Sequence, residues 1–111
     1  MTHKPLTQRT FYLLLALHDG PLHGYAIRKR VLELSDGVFE LEPGGLYRRI
    51  ARLERDGLIE PAAPPPEVES HDERRRYYRL TKGGQRALER EASRLAGLVE
   101  RPEVATILGG R

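Results

Sequence analysis

At 111 residues the chain has room for one domain, or one small domain with an appendage, around a modest core. It is 32% charged with a net charge of +3 and a sequence pI near 9.5, a balance that favours a polyanionic partner and says nothing of fold. It has no Cys, which excludes disulfides, a thiolate zinc site and a thiol nucleophile. No apolar leader with a small-residue cleavage site opens it, and its longest apolar run, Phe11–Leu17, is far too short to span a bilayer. The expectation is a cytoplasmic protein with no membrane partner. The basic residues are mostly Arg, with Lys only at Lys4, Lys29 and Lys82. Arg is the better bidentate partner for guanine and phosphate, although a GC-rich genome gives the same bias.

The first helix is expected over Thr7–His18. Its middle, FYLLLAL, is apolar nearly all round, so more than one side is covered: one by the core, the other by a second copy or another part of the chain. Asp19-Gly20-Pro21 stops it. A second helix opens at His23-Gly24-Tyr25, and Tyr25, Ile27, Val31, Leu32 and Leu34 recur at roughly helical spacing through Ser35. Asp36-Gly37 turns the chain, and Val38–Leu41 is too brief to assign.

Glu42–Pro61 is the most informative stretch. Pro43 fits the first helical position and Gly57 the residue past the end. With residues about 100° apart, Leu46, Ile50 and Leu53 share a narrow aliphatic arc. Gly44, Arg48, Ala51, Arg52 and Arg55 fall opposite, with Glu54 and Asp56 nearer the edges. A merely solvated face mixes signs at i,i+4. A cationic face with small residues beside it is what packs one side on its domain and lays the other along phosphates and base edges. Two helices and a turn before this one give the helix-turn-helix order.

Leu58-Ile59-Glu60 and Arg76–Leu80 read as paired strands. Pro61–Arg75 between them, with Pro64-Pro65-Pro66, reads as a long hairpin loop, a wing. Thr81 suits the N-cap of a last long helix, and Gly83 and Gly84 weaken its first turn. Beyond them Leu88, Ala92, Leu95 and Val99 lie four, three and four apart, the spacing of a coiled-coil seam. Pro102 breaks that helix, and Val104, Ile107 and Leu108 imply one more short turn. The expected architecture is mainly α with a small β-hairpin. Residues 1–81 form a winged helix-turn-helix domain, its wing loop at about 61–75, and residues 82–111 a dimerisation helix and short tail.

The order of these motifs resembles the PadR family of bacterial transcription regulators. The resemblance is carried by Gly20-Pro21 with His23-Gly24-Tyr25, Pro43-Gly44 with Leu46-Tyr47, Leu53-Glu54 with Asp56-Gly57-Leu58-Ile59, and Arg75–Thr81 with Gly84 and Ala87-Leu88. It covers about Phe11–Leu88 and is closest to the branch with a single C-terminal helix. It implies a third helix in the major groove, a wing beside it, a homodimer made by the last helix, and repression relieved by a small molecule or a signal. Three positions depart from the pattern: Glu42 replaces a capping Ser, Gly45 replaces a Thr, and the wing carries prolines and the acids Glu67, Glu69, Asp72 and Glu73.

The DNA-binding residues expected are Gly44, Gly45, Tyr47, Arg48, Arg52, Arg55, Arg74 and Arg76. Those expected at the dimer interface are Phe11, Leu14, Leu88, Ala92, Leu95 and Val99. The acids at the wing tip would be repelled by DNA, which leaves its basic base, Arg74–Arg79, to meet the backbone. No cofactor or metal is expected: His18 and His23 straddle a turn, and no acidic cluster accompanies the four histidines. No nucleophile elbow or phosphate-binding loop marks an enzyme. The rival reading is a winged-helix module that binds protein and not DNA, and the arginine face argues against it. With no Trp, and only Phe11 and Tyr12 on a helix bordering a dimer pocket, the sequence identifies no effector.

Overall fold

The computed structural model describes residues 4–66 and 75–109. Thr7 caps the first helix, α1 (Gln8–Ala16), its hydroxyl accepting from the Thr10 N–H. A two-residue strand, β1 (Leu22–His23), leads directly into α2 (Gly24–Leu34). Then come α3 (Pro43–Arg55), β2 (Ile59–Ala62), β3 (Tyr77–Leu80), α4 (Lys82–Glu100) and α5 (Pro102–Ile107). The sheet is antiparallel in the order β1-β3-β2, so the expected hairpin gains a third strand. Leu22 and His23 pair with Tyr78 and Tyr77, a contact between distant segments that carries no local signal. β2 also runs two residues further than expected, through Pro61 and Ala62. Being an edge strand, it tolerates a proline whose missing N–H faces away from the sheet.

One core joins these elements. Leu13, Leu14 and Leu17 meet Ile27 and Val31 of α2, Leu46, Ile50 and Leu53 of α3, Ile59, Tyr78 and Leu88. Each large aliphatic side chain buried there contributes about 1.5–3 kcal/mol. The aliphatic arc of α3 is thus buried as expected. On α2 only Ile27 and Val31 of the apolar series are fully buried; Tyr25 is 67% exposed and Leu32 37%. An apolar residue at roughly helical spacing can still fall outside a core arc this narrow.

The termini of α3 follow its sequence. Glu42 offers no side-chain cap. At the other end Leu58 N–H donates to Leu53 O and Gly57 N–H to Glu54 O, at 2.9 and 3.0 Å. This double closure needs a left-handed residue, and Gly57 has φ 75°. Thr81 ties the next helix to this corner: its hydroxyl donates to Gly57 O and accepts from Gly84 N–H. Gly84 does more than weaken a helical turn. A Cβ on it would lie 2.0 Å from the Leu58 carbonyl oxygen, so backbone meets backbone here.

α4 leaves the domain halfway along its length, which gives the molecule a 52 Å long axis. Its inner half buries Gly84, Ala87, Leu88 and Glu91. The Glu91 carboxylate is held by Arg94 at 2.6 Å, and Arg94 together with the Leu6 N–H keeps its pKa below the usual range.

Candidate nucleic-acid interface

The outer face of α3 is a shallow basic groove lined by Gly45, Arg48, Arg49, Ala51, Arg52 and Arg55. Its small residues are Gly45 and Ala51, and every other lining side chain is an arginine. Arg48 lies back across the first turn, where a Cβ on Gly44 or Gly45 would be 3.5 or 3.9 Å from its terminal nitrogens. The expected residues Gly44, Gly45, Arg48, Arg52 and Arg55 are therefore brought together. Arg49 joins them although the sequence reading omits it. It sits at the margin between the two faces and is half-buried, so angular position alone assigns it to neither.

Arg48, Arg52 and Arg55 form no ion pair among the described residues, whereas Arg79 is taken by Glu60 at 2.7 Å and Arg94 by Glu91. Charge left unneutralised on one helix face is available to a polyanion.

Beside this groove stands the start of β3. Arg76 is exposed and lines a recess together with Tyr47 and Tyr78. Tyr47, on the flank of α3, is 55% exposed and lies against Gly24. Arg74 and the acidic wing tip, Glu67–Glu73, lie outside the described residues.

His23 fixes the entry to α2. Its Nδ1 accepts from the Ala26 N–H at 3.3 Å, and its ring meets Tyr77 edge-on at 5.3 Å. Burial lowers its pKa, and the Arg75 charge lowers it further. An imidazole can accept through Nδ1 only while that nitrogen is unprotonated. The folded chain therefore resists a proton that the unfolded chain accepts near pH 6.5, and stability falls as pH drops from there toward the lowered value. His23→Asn keeps a capping side chain that does not titrate. Thermal unfolding from about pH 8 to about pH 5 should show a shallower loss in the variant than in the native protein. Equal pH slopes would remove His23 from this role.

The expected dimer residues divide. Leu14 is fully buried and Leu88 is 4% exposed in the chain's own core. They leave no surface for a partner, because the inner half of α4 packs on its own domain. Phe11 is half-buried against the core. Ala92 and Val99 are exposed and Leu95 is half-buried. Leu98, which the seam spacing skips, is 45% exposed beside Val99 at 56%, with Ile107 of α5 at 82% and Leu108 just beyond it at 59%.

No group of acidic or histidine residues among those described is placed to hold a metal ion. No helix among them is long and apolar enough to cross a membrane.

Three helices with a basic third, followed by a β-hairpin on a shared core, define a winged helix. The profile of the transcriptional regulator PadR-like family matches residues 13–90, and the chain belongs to that family. A PadR family transcription regulator from Clostridium difficile is 25% identical, over 93% of this chain and 100% of that one, with a TM-score of 0.73. Bacillus subtilis PadR, solved in complex with operator DNA, is 20% identical over 79% of this chain and 48% of its own, with a TM-score of 0.61. It shares the fold. An uncharacterized 37.1 kDa protein in transposon Tn4556 of Streptomyces fradiae is 42% identical over 86 residues, 78% of this chain. The chain spans only 22% of that relative.

Proposed function

We propose that this chain is a sequence-specific DNA-binding transcription regulator, a repressor that acts as a homodimer on a palindromic operator, and not an enzyme. The observation that carries the reading is the arginine face of α3, which forms no ion pair among the described residues and lies opposite its buried aliphatic arc. Residues 1–81 are the DNA-binding unit, and residues 82–111 the dimerisation helix and tail. The family is one of transcription regulators, and a relative of the same fold, Bacillus subtilis PadR, was solved on operator DNA. An effector that releases the DNA belongs to the same reading. So does a homodimer seam on Ala92, Leu95, Leu98 and Val99, with Phe11 facing the partner.

Arg48 is nearer the end of α3 that usually enters the groove, and at least one of Arg48 and Arg52 is assigned to a base edge. Arg55 and Tyr47 are assigned to phosphates, as are Arg76 and Arg74 at the base of the wing. Gly44 and Gly45 let the backbone come close. A gel shift with sheared genomic DNA separates this reading from a protein-binding winged helix. On a retarded fragment, at least one of Arg48→Ala and Arg52→Ala should cost about 1–3 kcal/mol and relax one operator position. Arg55→Ala should weaken all sequences alike. If neither Arg48→Ala nor Arg52→Ala changes operator affinity, α3 does not read DNA.

A further inference from the structure

A second recess lies beside the arginine groove, between the first turns of α2 and α3 and the start of β3. It is a cleft of about 540 Å³, and Tyr25, Tyr47, Tyr78, Arg75, Arg76 and Gly24 line it together with His23. Among the described residues its lining holds phenol hydroxyls and guanidiniums and no carboxylate.

We propose that this cleft seats one phosphate of the DNA backbone, gripped by the hydroxyls of Tyr25 and Tyr47 and by the Arg76 guanidinium. The proposal rests on the DNA-binding reading above and adds to it a built subsite away from the base-reading face.

The two exposed tyrosines are each held by a neighbour. Tyr25 is 67% exposed and takes no part in the core. Its ring stacks on His23, with centroids 6.5 Å apart and planes at 15°, and His23 is itself fixed by capping α2 and by Tyr77. Tyr47 lies across Gly24 so closely that a Cβ there would sit 2.8 Å from its hydroxyl oxygen. Glycine at the first residue of α2 is what lets the two helices bring these tyrosines to one cleft. Tyr78 is 5% exposed and walls the cleft beside Arg76. Hydroxyl and guanidinium donors converging on one cleft suit an anion with several acceptor oxygens. Contacts of this kind fix the register of a protein on its duplex and do not read sequence.

The test uses a duplex selected by the native protein from a random-sequence pool, and an unrelated duplex of equal length. Tyr25→Phe removes one exposed hydroxyl. It should weaken binding to both duplexes about tenfold and leave their ranking unchanged. Gly24→Ala, which displaces the Tyr47 hydroxyl, should do the same. Methylphosphonates placed singly along the selected duplex neutralise one phosphate at a time. Native protein should lose affinity at several symmetry-related pairs of positions, one for each phosphate it contacts, and at one of those pairs Tyr25→Phe should lose little more, because contact and phosphate are coupled. A merely structural Tyr25 would leave that profile unchanged. If the native protein selects a duplex and both variants bind it as tightly, with the native methylphosphonate profile, the cleft is not a phosphate seat. If the native protein selects and binds no duplex, the DNA-binding reading itself falls.

Discussion

Gly84→Ala should lower stability by about 3–5 kcal/mol, a large share of what a domain this size possesses. The added methyl would start 2.0 Å from the Leu58 carbonyl oxygen and 3.0 Å from its carbonyl carbon. Leu58 cannot step aside cheaply. Its N–H closes the end of α3 on Leu53 O, and its carbonyl accepts from Thr81 N–H at 3.1 Å. To make room, the junction of α3, β2 and α4 must open. Gly97→Ala on the same helix is the control, because its Cβ would meet nothing within 4 Å. By helix propensity alone it should stabilise by up to about 1 kcal/mol. Urea unfolding of the two variants reads the difference, and a Gly84→Ala protein as stable as the native chain would show that the junction yields.

The second large effect is on assembly. Leu98→Glu combined with Val99→Glu should convert a dimer into a monomer without unfolding it. Both residues are about half-exposed in the single chain, so charges there cost little until a partner covers them. Burying an uncompensated carboxylate in a seam costs several kcal/mol, and a symmetric seam meets each substitution twice. At 1.4 kcal/mol per decade the dissociation constant should rise by at least about a thousandfold. Sedimentation of both proteins, with circular dichroism to verify the fold, checks this. A native protein that sediments as a monomer at micromolar concentration would end the proposal of a dimer. Leu95→Glu is a less clean probe, since Leu95 is half-buried in the single chain.

What the sequence made legible was whatever local rules decide. The bounds of α3 follow from Pro43 and Gly57, its two faces from the spacing of Leu46, Ile50 and Leu53 against the arginines, and the start of α4 from Thr81. What it hid depends on distant segments meeting. β1 exists because Leu22 and His23 find Tyr78 and Tyr77, more than fifty residues on. Gly84 looks like a weak point in a helix until Leu58 lies against it. Leu14 and Leu88 fit an apolar stripe that reaches a partner, yet the chain's own core takes them first. The spacing of the seam also passed over Leu98, which is exposed next to Val99. At the candidate interface, Arg48, Arg52 and Arg55 were legible from helical geometry. Arg49 was not, because it lies at the boundary between faces. Tyr25 looked like core in the pattern, and only its exposure and its stack on His23 place it at a cleft.

Parallel selection from a random-sequence duplex pool, by the native protein and by the Arg48→Ala/Arg52→Ala double variant, tests the central claim most directly. The account predicts that the native protein enriches a two-fold symmetric motif, its half-sites about one helical turn apart or a multiple of that. The double variant should retain only weak, salt-sensitive binding with no motif. Enrichment of the same motif by both proteins, or of none by the native one, would contradict it.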